Sequence, residues 1–180
     1  MTGAMDRRQQ KTRAALHGAF RELLFEQGYE SITIGAVARA ANVGRSTFYE
    51  HYRTKDDLLR DSIGVPFATL ARLVDDPACG EAVGNLLQHF RQHRQVARVL
   101  FGWPGRAVLS AALADHIAAR LARAGHRPSA IPAEVIARQI ADMQLALVDA
   151  WIAGRPAFVL AAAVDGLIVA TRALVQSLHP

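Results

Sequence analysis

The chain has 180 residues, of which 51% are hydrophobic and 7% aromatic, and a formal net charge of +5 carried almost wholly by arginine. That is enough chain to bury a core without staples, and its single cysteine, Cys79, excludes an internal disulfide framework and fits a reducing compartment. The prominence of alanine and leucine over β-branched and aromatic residues argues against a sheet protein and points to an all-α fold.

The opening "MTGAMDRRQQKTR" is polar and lacks the apolar run of a secretory signal, so a cytoplasmic protein is expected. Leu16, Ala19, Phe20, Leu23 and Leu24 then recur at helical spacing and predict an amphipathic helix from about residue 9 to 27. Gly28 suits its C-terminal end. Arg7, Arg8, Lys11 and Arg13 crowd the entry to this helix, either as a solvated end or as an arm that tracks phosphates.

Thr33 is placed to cap a second, short helix carrying Ile34, Val37, Ala38 and Ala41. Asn42 can end that helix in the left-handed region, as glycine often does. After Val43 and Gly44 a third helix places Phe48 and Tyr52 four residues apart on one buried face. Two short helices joined by such a turn make a helix-turn-helix. The first turn of the third helix holds Arg45, Ser46 and Thr47, none of which the core requires. In this motif that end enters the major groove, where an arginine bonds both guanine acceptors and hydroxyls reach bases or phosphates. Tyr49 and His51 point away from the Phe48/Tyr52 face and can donate to the DNA backbone, and Lys55 opens a fourth helix.

The pattern "F..GY..ITI..VA.AANV..STFY.HY..K..LL", from Phe25 to Leu59, resembles the DNA-binding domain of TetR-family transcriptional regulators, with the likeness running from Thr12 to Leu59. The resemblance implies phosphate contacts by Thr33, Tyr49, His51 and Lys55, and groove contacts by Gly44, Arg45, Ser46 and Thr47. Asn42 and Ser46 stand where the family usually has glycine; the second departure bears on base reading. The expected architecture is a three-helix helix-turn-helix domain over residues 1–60. A larger helical effector-binding and dimerisation domain over 61–180 follows, for about nine or ten helices in total.

Gly64 and Pro66 interrupt the fourth helix, and a break near Ile63 follows because proline removes a helical hydrogen bond and clashes with the preceding turn. Further helices are predicted over 67–75, 81–93, 95–101, 105–124, 132–153 and 157–178. The apolar run 156–171 would reach only about 24 Å as a helix, and Asp165 lies in its middle, so a buried helix is expected rather than a membrane span.

The last two predicted helices are apolar on more than one side, and a helix of that kind must bury both. Ile140, Leu147 and Trp151 on one, with the small-residue ridge Ala162, Gly166 and Ala170 on the other, are the expected homodimer interface. The resemblance implies the same dimer, a palindromic operator and release by a small-molecule effector. His89, Phe90, Phe101, Trp103, Met143 and Gln144 are the candidate effector-pocket residues. His89 and His93 share a helix face, but they lack the supporting ligands of a metal site, so neither metal nor other cofactor is expected.

An enzyme would need a nucleophile elbow, P-loop or dinucleotide fingerprint, and the chain has none of these. A DNA-packaging protein would carry many lysines, where this chain has only Lys11 and Lys55. The reading is a sequence-specific DNA-binding regulator, a repressor more readily than an activator, with operator DNA, an effector and a second copy of itself as partners.

Overall fold

The computed structural model describes residues 2–76, 78–101, 105–125 and 131–176, apart from the side chains of residues 2–6, 96 and 99–101. These residues form α-helices and one short 3-10 turn, with no strand among them. The chain divides into two compact units, residues 1–62 and 63–180. The expected all-α architecture is what the structure has.

The first unit holds α1 (Thr2–Ser31), α2 (Ile34–Ala40), α3 (Arg45–His51) and α4 (Lys55–Ser62). Helix α1 starts well before residue 9 and carries the basic entry on helical backbone. It is interrupted at Gly28, whose φ of 74° and ψ of 163° are non-helical. Positive φ at this position was expected, but ψ takes the backbone out of the left-handed helical region and into one that is essentially confined to glycine. The chain therefore turns before Tyr29 instead of ending in an ordinary cap. Leu16, Phe20, Leu24, Ile32, Val37, Phe48, Leu58 and Leu59 are buried and form the core of this unit. The Tyr29 ring meets Phe20 edge-on at 6.4 Å.

The break between α4 and α5 falls at Ile63, whose φ and ψ are −102° and 0°. Pro66 sits in the first turn of α5 (Gly64–Ala71), where its missing N–H forfeits no helical hydrogen bond. The second unit continues through a 3-10 turn (Arg72–Val74), α6 (Gly80–Gln92), α7 (Arg94–Phe101), α8 (Gly105–Arg123), α9 (Ala133–Ala153) and α10 (Leu160–Gln176). Helix α10 begins three residues later than its periodicity predicts, and Phe158, just ahead of it, packs on the Trp151 ring at 5.6 Å.

Helix α9 is the central element of this unit, meeting α6, α7, α8 and α10. That environment corrects part of the expected dimer face. Ile140 is fully buried and Trp151 is 4% exposed within the single chain. The Trp151 indole also donates to the Leu87 carbonyl at 2.9 Å and lies under the Arg91 guanidinium. Neighbouring helices of the same chain bury Ile140 and Trp151, so these two side chains have no surface left to offer a partner. Leu147 and Gly166 face each other across α9 and α10, where a Cβ on Gly166 would sit 3.1 Å from Leu147 Cδ1. Ala162 is exposed and Ala170 half-buried, and Val169, which the sequence reading passed over, is 66% exposed beside them. No helix among the described residues is long and apolar enough to cross a membrane.

Candidate nucleic-acid interface

Thr33 caps α2 as its residue type predicts, with Oγ1 accepting the Ala36 N–H at 3.2 Å. The other end of α2 closes in a Schellman arrangement. The Val43 N–H reaches the Ala38 carbonyl at 2.9 Å, and the Asn42 N–H reaches the Arg39 carbonyl at 3.1 Å. Asn42 has φ of +54°, the left-handed conformation expected of it. The asparagine thus does the work of the more usual glycine, at a modest steric cost.

This turn delivers α3 with Gly44 at its N-cap and Arg45 and Ser46 exposed, while Thr47 is half-buried. Underneath, Phe48 is fully buried and Tyr52 is 5% exposed, their rings 5.9 Å apart. Tyr49 is 56% exposed, its ring edge-on to Phe48 at 5.8 Å, and His51 is half-buried. The polar side chains of α3 therefore stand on one surface and its aromatic anchors beneath.

Two residues of this surface escaped the sequence reading. A shallow concavity is lined by Gly35, Arg39, Asn42, Val43, Gly44 and Arg45, among others. The Arg45 guanidinium lies across Gly35 so closely that a Cβ there would meet Nη2 at 2.5 Å. A glycine inside a seven-residue helix, which costs about 1 kcal/mol against alanine, was the available signal. Arg39 is exposed on the same concavity and adds a second cation.

Lys55 has a different task from the one the resemblance implies. Its Nζ donates to the carbonyls of Tyr29, Glu30 and Ile32 at 3.0, 3.1 and 3.2 Å and stands 4.5 Å from the centroid of the Tyr29 ring. All three ammonium protons are thereby committed to closing the chain after the Gly28 turn, which leaves none for a phosphate. The Tyr29 hydroxyl donates to Asp56, and burial together with that bond raises its pKa. Lys55→Met, which keeps the apolar stem, is expected to lower the melting temperature by several degrees through about 1 kcal/mol of lost hydrogen bonding. It should leave the salt dependence of DNA binding unchanged; a slope reduced by about one would return Lys55 to the phosphates.

Behind α3 lies a polar cluster that no motif announced. Arg13 Nη2 donates to both Asp61 oxygens at 2.6 and 2.7 Å, and its Nε reaches the Tyr52 hydroxyl at 3.4 Å. Tyr52 donates to Asp61 Oδ2, and His17 Nε2 lies 2.9 Å from both that oxygen and the Tyr52 hydroxyl. Burial and the bond to Asp61 push the Tyr52 phenol up to about 12. For Asp61 burial alone would raise the pKa, but the hydrogen bonds from Arg13 and Tyr52 outweigh it and hold the carboxyl below its usual value.

The expected effector residues differ in burial. Gln144 is fully buried, Met143 and Phe90 are half-buried, and His89 is exposed with its ring 4.6 Å from His93. The Phe101 side chain and Trp103 lie outside the described residues. No group of three or more potential metal ligands occurs among the described residues.

Two short helices crossing through a tight turn, with a cationic and hydroxyl-bearing tip on a buried aromatic footing, define a helix-turn-helix DNA-binding protein. Residues 16–61 match the family model for bacterial regulatory proteins of the tetR family. An uncharacterized HTH-type transcriptional regulator, YxbF, of Bacillus subtilis is 47% identical over 60 residues, which are 33% of this chain and 16% of that protein. A TetR transcriptional regulator from Streptococcus agalactiae is similar over 95% of this chain and 99% of its own, at 27% identity and a TM-score of 0.59. NalD, the secondary repressor of a multidrug efflux pump in Pseudomonas aeruginosa, shares the fold over 92% of this chain and 96% of its own, at 20% identity and a TM-score of 0.52. Residues 16–61 are thus a DNA-binding domain of the tetR family, and the chain shares the fold of a TetR transcriptional regulator.

Proposed function

We propose that the protein is a homodimeric repressor that occupies a palindromic operator and leaves it when a small molecule binds the second unit. The observation that carries the DNA half of this reading is the solvent-facing Arg45, Ser46 and Tyr49 above a buried Phe48 and Tyr52. A tip held rigid from below keeps its donors aimed at base edges, while Thr33, Tyr49 and His51 serve the flanking phosphates. Arg7, Arg8 and Lys11, all exposed on α1, supply further positive charge to the same unit.

The dimer reading now rests on Ala162, Val169 and Ala170 of α10, which present a small, apolar surface in the isolated chain. Small residues let helix axes approach closely, and a two-fold pair would set its two reading helices on half-sites about 34–36 Å apart. Selection of bound duplexes from a random pool tests both statements together. Enriched sequences with two-fold symmetry are expected; an asymmetric motif bound by a monomer in sedimentation would overturn the dimer.

The effector reading is supported by one side chain. Gln144 Oε1 is the buried side-chain nitrogen or oxygen without a hydrogen-bond partner among the described residues, although Gln144 Nε2 donates to Thr171 Oγ1 at 3.0 Å and to the Leu70 carbonyl at 3.4 Å. A buried acceptor without a donor costs about 1–3 kcal/mol and is retained where a ligand supplies the donor. Replacing the pair by Gln144→Leu with Thr171→Val is expected to leave the melting temperature of the ligand-free protein unchanged or higher. A clear loss of stability would show that the amide serves packing alone.

A further inference from the structure

Tyr52 is both the aromatic anchor of α3 and its C-terminal cap, with its N–H on the Phe48 carbonyl at 2.9 Å. Its hydroxyl is the only part of that side chain with work beyond packing, and it points into the cluster of Arg13, His17 and Asp61. Those three residues come from two other helices of the unit: Arg13 and His17 from α1, and Asp61 from the last turn of α4. Asp61 is the hub, since its two oxygens receive Arg13 twice and Tyr52 once, with His17 Nε2 at bonding distance.

We propose that Asp61 is a positioning residue for DNA recognition, fixing the inner end of α3 through the Tyr52 hydroxyl against α1 and α4. The inference rests on α3 being the helix that reads DNA. A seven-residue helix is about 10 Å long, so a tilt at its Tyr52 end is felt directly at Arg45, about two turns away. The apolar contact of Phe48 is non-directional and tolerates rotation, whereas hydrogen bonds to three partners at defined angles do not. The N-terminal end of α3 carries no side-chain cap of its own, so angular restraint has to come from the other end. Arg13 also acquires a definite role here: of the four basic residues at the start of α1, it is the one turned inward onto a carboxylate.

The decisive pair of variants is Tyr52→Phe and Asp61→Asn in the full chain. The probe is a duplex enriched from a random pool by the wild-type protein, with a scrambled duplex of equal length as reference. Tyr52→Phe cuts only the link to α3 and leaves Arg13 and His17 joined to Asp61. It should therefore keep a melting temperature within a few degrees of wild type while the ratio of selected to scrambled affinity falls about tenfold, the size of one lost base-pair contact. Asp61→Asn should lower the same ratio at least as far, measured at a temperature where circular dichroism shows the variant folded. The reciprocal swap, Arg13→Asp with Asp61→Arg, should recover part of the loss. Unchanged ratios in both folded single variants would overturn the proposal, as would a loss of affinity equal on both duplexes. If the wild-type protein itself enriched no sequence, the DNA reading would fail instead, and the two failures are distinguishable by that control.

Discussion

Arg45→Ala is expected to cost about 1–3 kcal/mol in binding to the preferred operator, a fall of about ten- to a hundredfold, and to relax preference at one base position in each half-site. The residue is exposed and its guanidinium lies over Gly35 at the surface of the unit, so the melting temperature should hold. In the free protein it rests across Gly35, and a methyl group there would displace it. Gly35→Ala is thus a second route to the same position, altering where the arginine sits without removing it. Operator variants scanned base by base against Arg45→Ala are the measurement. A uniform loss at every position would make Arg45 a phosphate contact and not a reader.

Acid should unfold the first unit through Asp61. Its carboxyl titrates below the ordinary carboxylate value in the folded chain, so it binds protons more readily when unfolded. The stability it contributes is therefore fully present above the unfolded value near 4, and it is lost as pH falls through the lower folded one. Asp61 is 29% exposed and Arg13 51%, which puts the ion pair between the surface and buried cases. With the Tyr52 bond included, Asp61→Ala is expected to cost about 2 kcal/mol at pH 7. For a unit of this size that is about 10 °C in melting temperature, and the deficit should shrink as pH falls through the folded value of Asp61. A deficit that stayed the same down the whole acid limb of the stability curve would mean that the carboxylate charge is not its source. The Tyr52 phenol runs the other way: raised to about 12, its contribution is present below pH 10 and lost as pH rises through 12.

The expectations that held rest on local chemistry. The Thr33 cap, the left-handed Asn42 and the Phe48/Tyr52 pair follow from residues within a few positions of one another, where side-chain reach and backbone sterics act without help. The break at Ile63 is of the same kind. Lys55 shows where that legibility stops. Its place beside a helix start and near tyrosine and histidine fits a phosphate contact, yet the carbonyls that occupy it lie 23 to 26 residues earlier in the chain. Ile140 and Trp151 show the same limit in the second unit. Periodicity told that α9 is apolar on more than one side but not that helices of its own chain would bury Ile140 and Trp151.

The sequence by itself determined the helical class, the helix-turn-helix and its polar tip, because these depend on turn chemistry and on apolar spacing along a single helix. The tertiary structure alone decided the Arg13–His17–Tyr52–Asp61 cluster, the seat of Arg45 on Gly35 and the burial of Gln144. Each of these joins side chains from separate helices. A polar residue's role depends on which donors and acceptors lie within about 3 Å, and only packing brings them there.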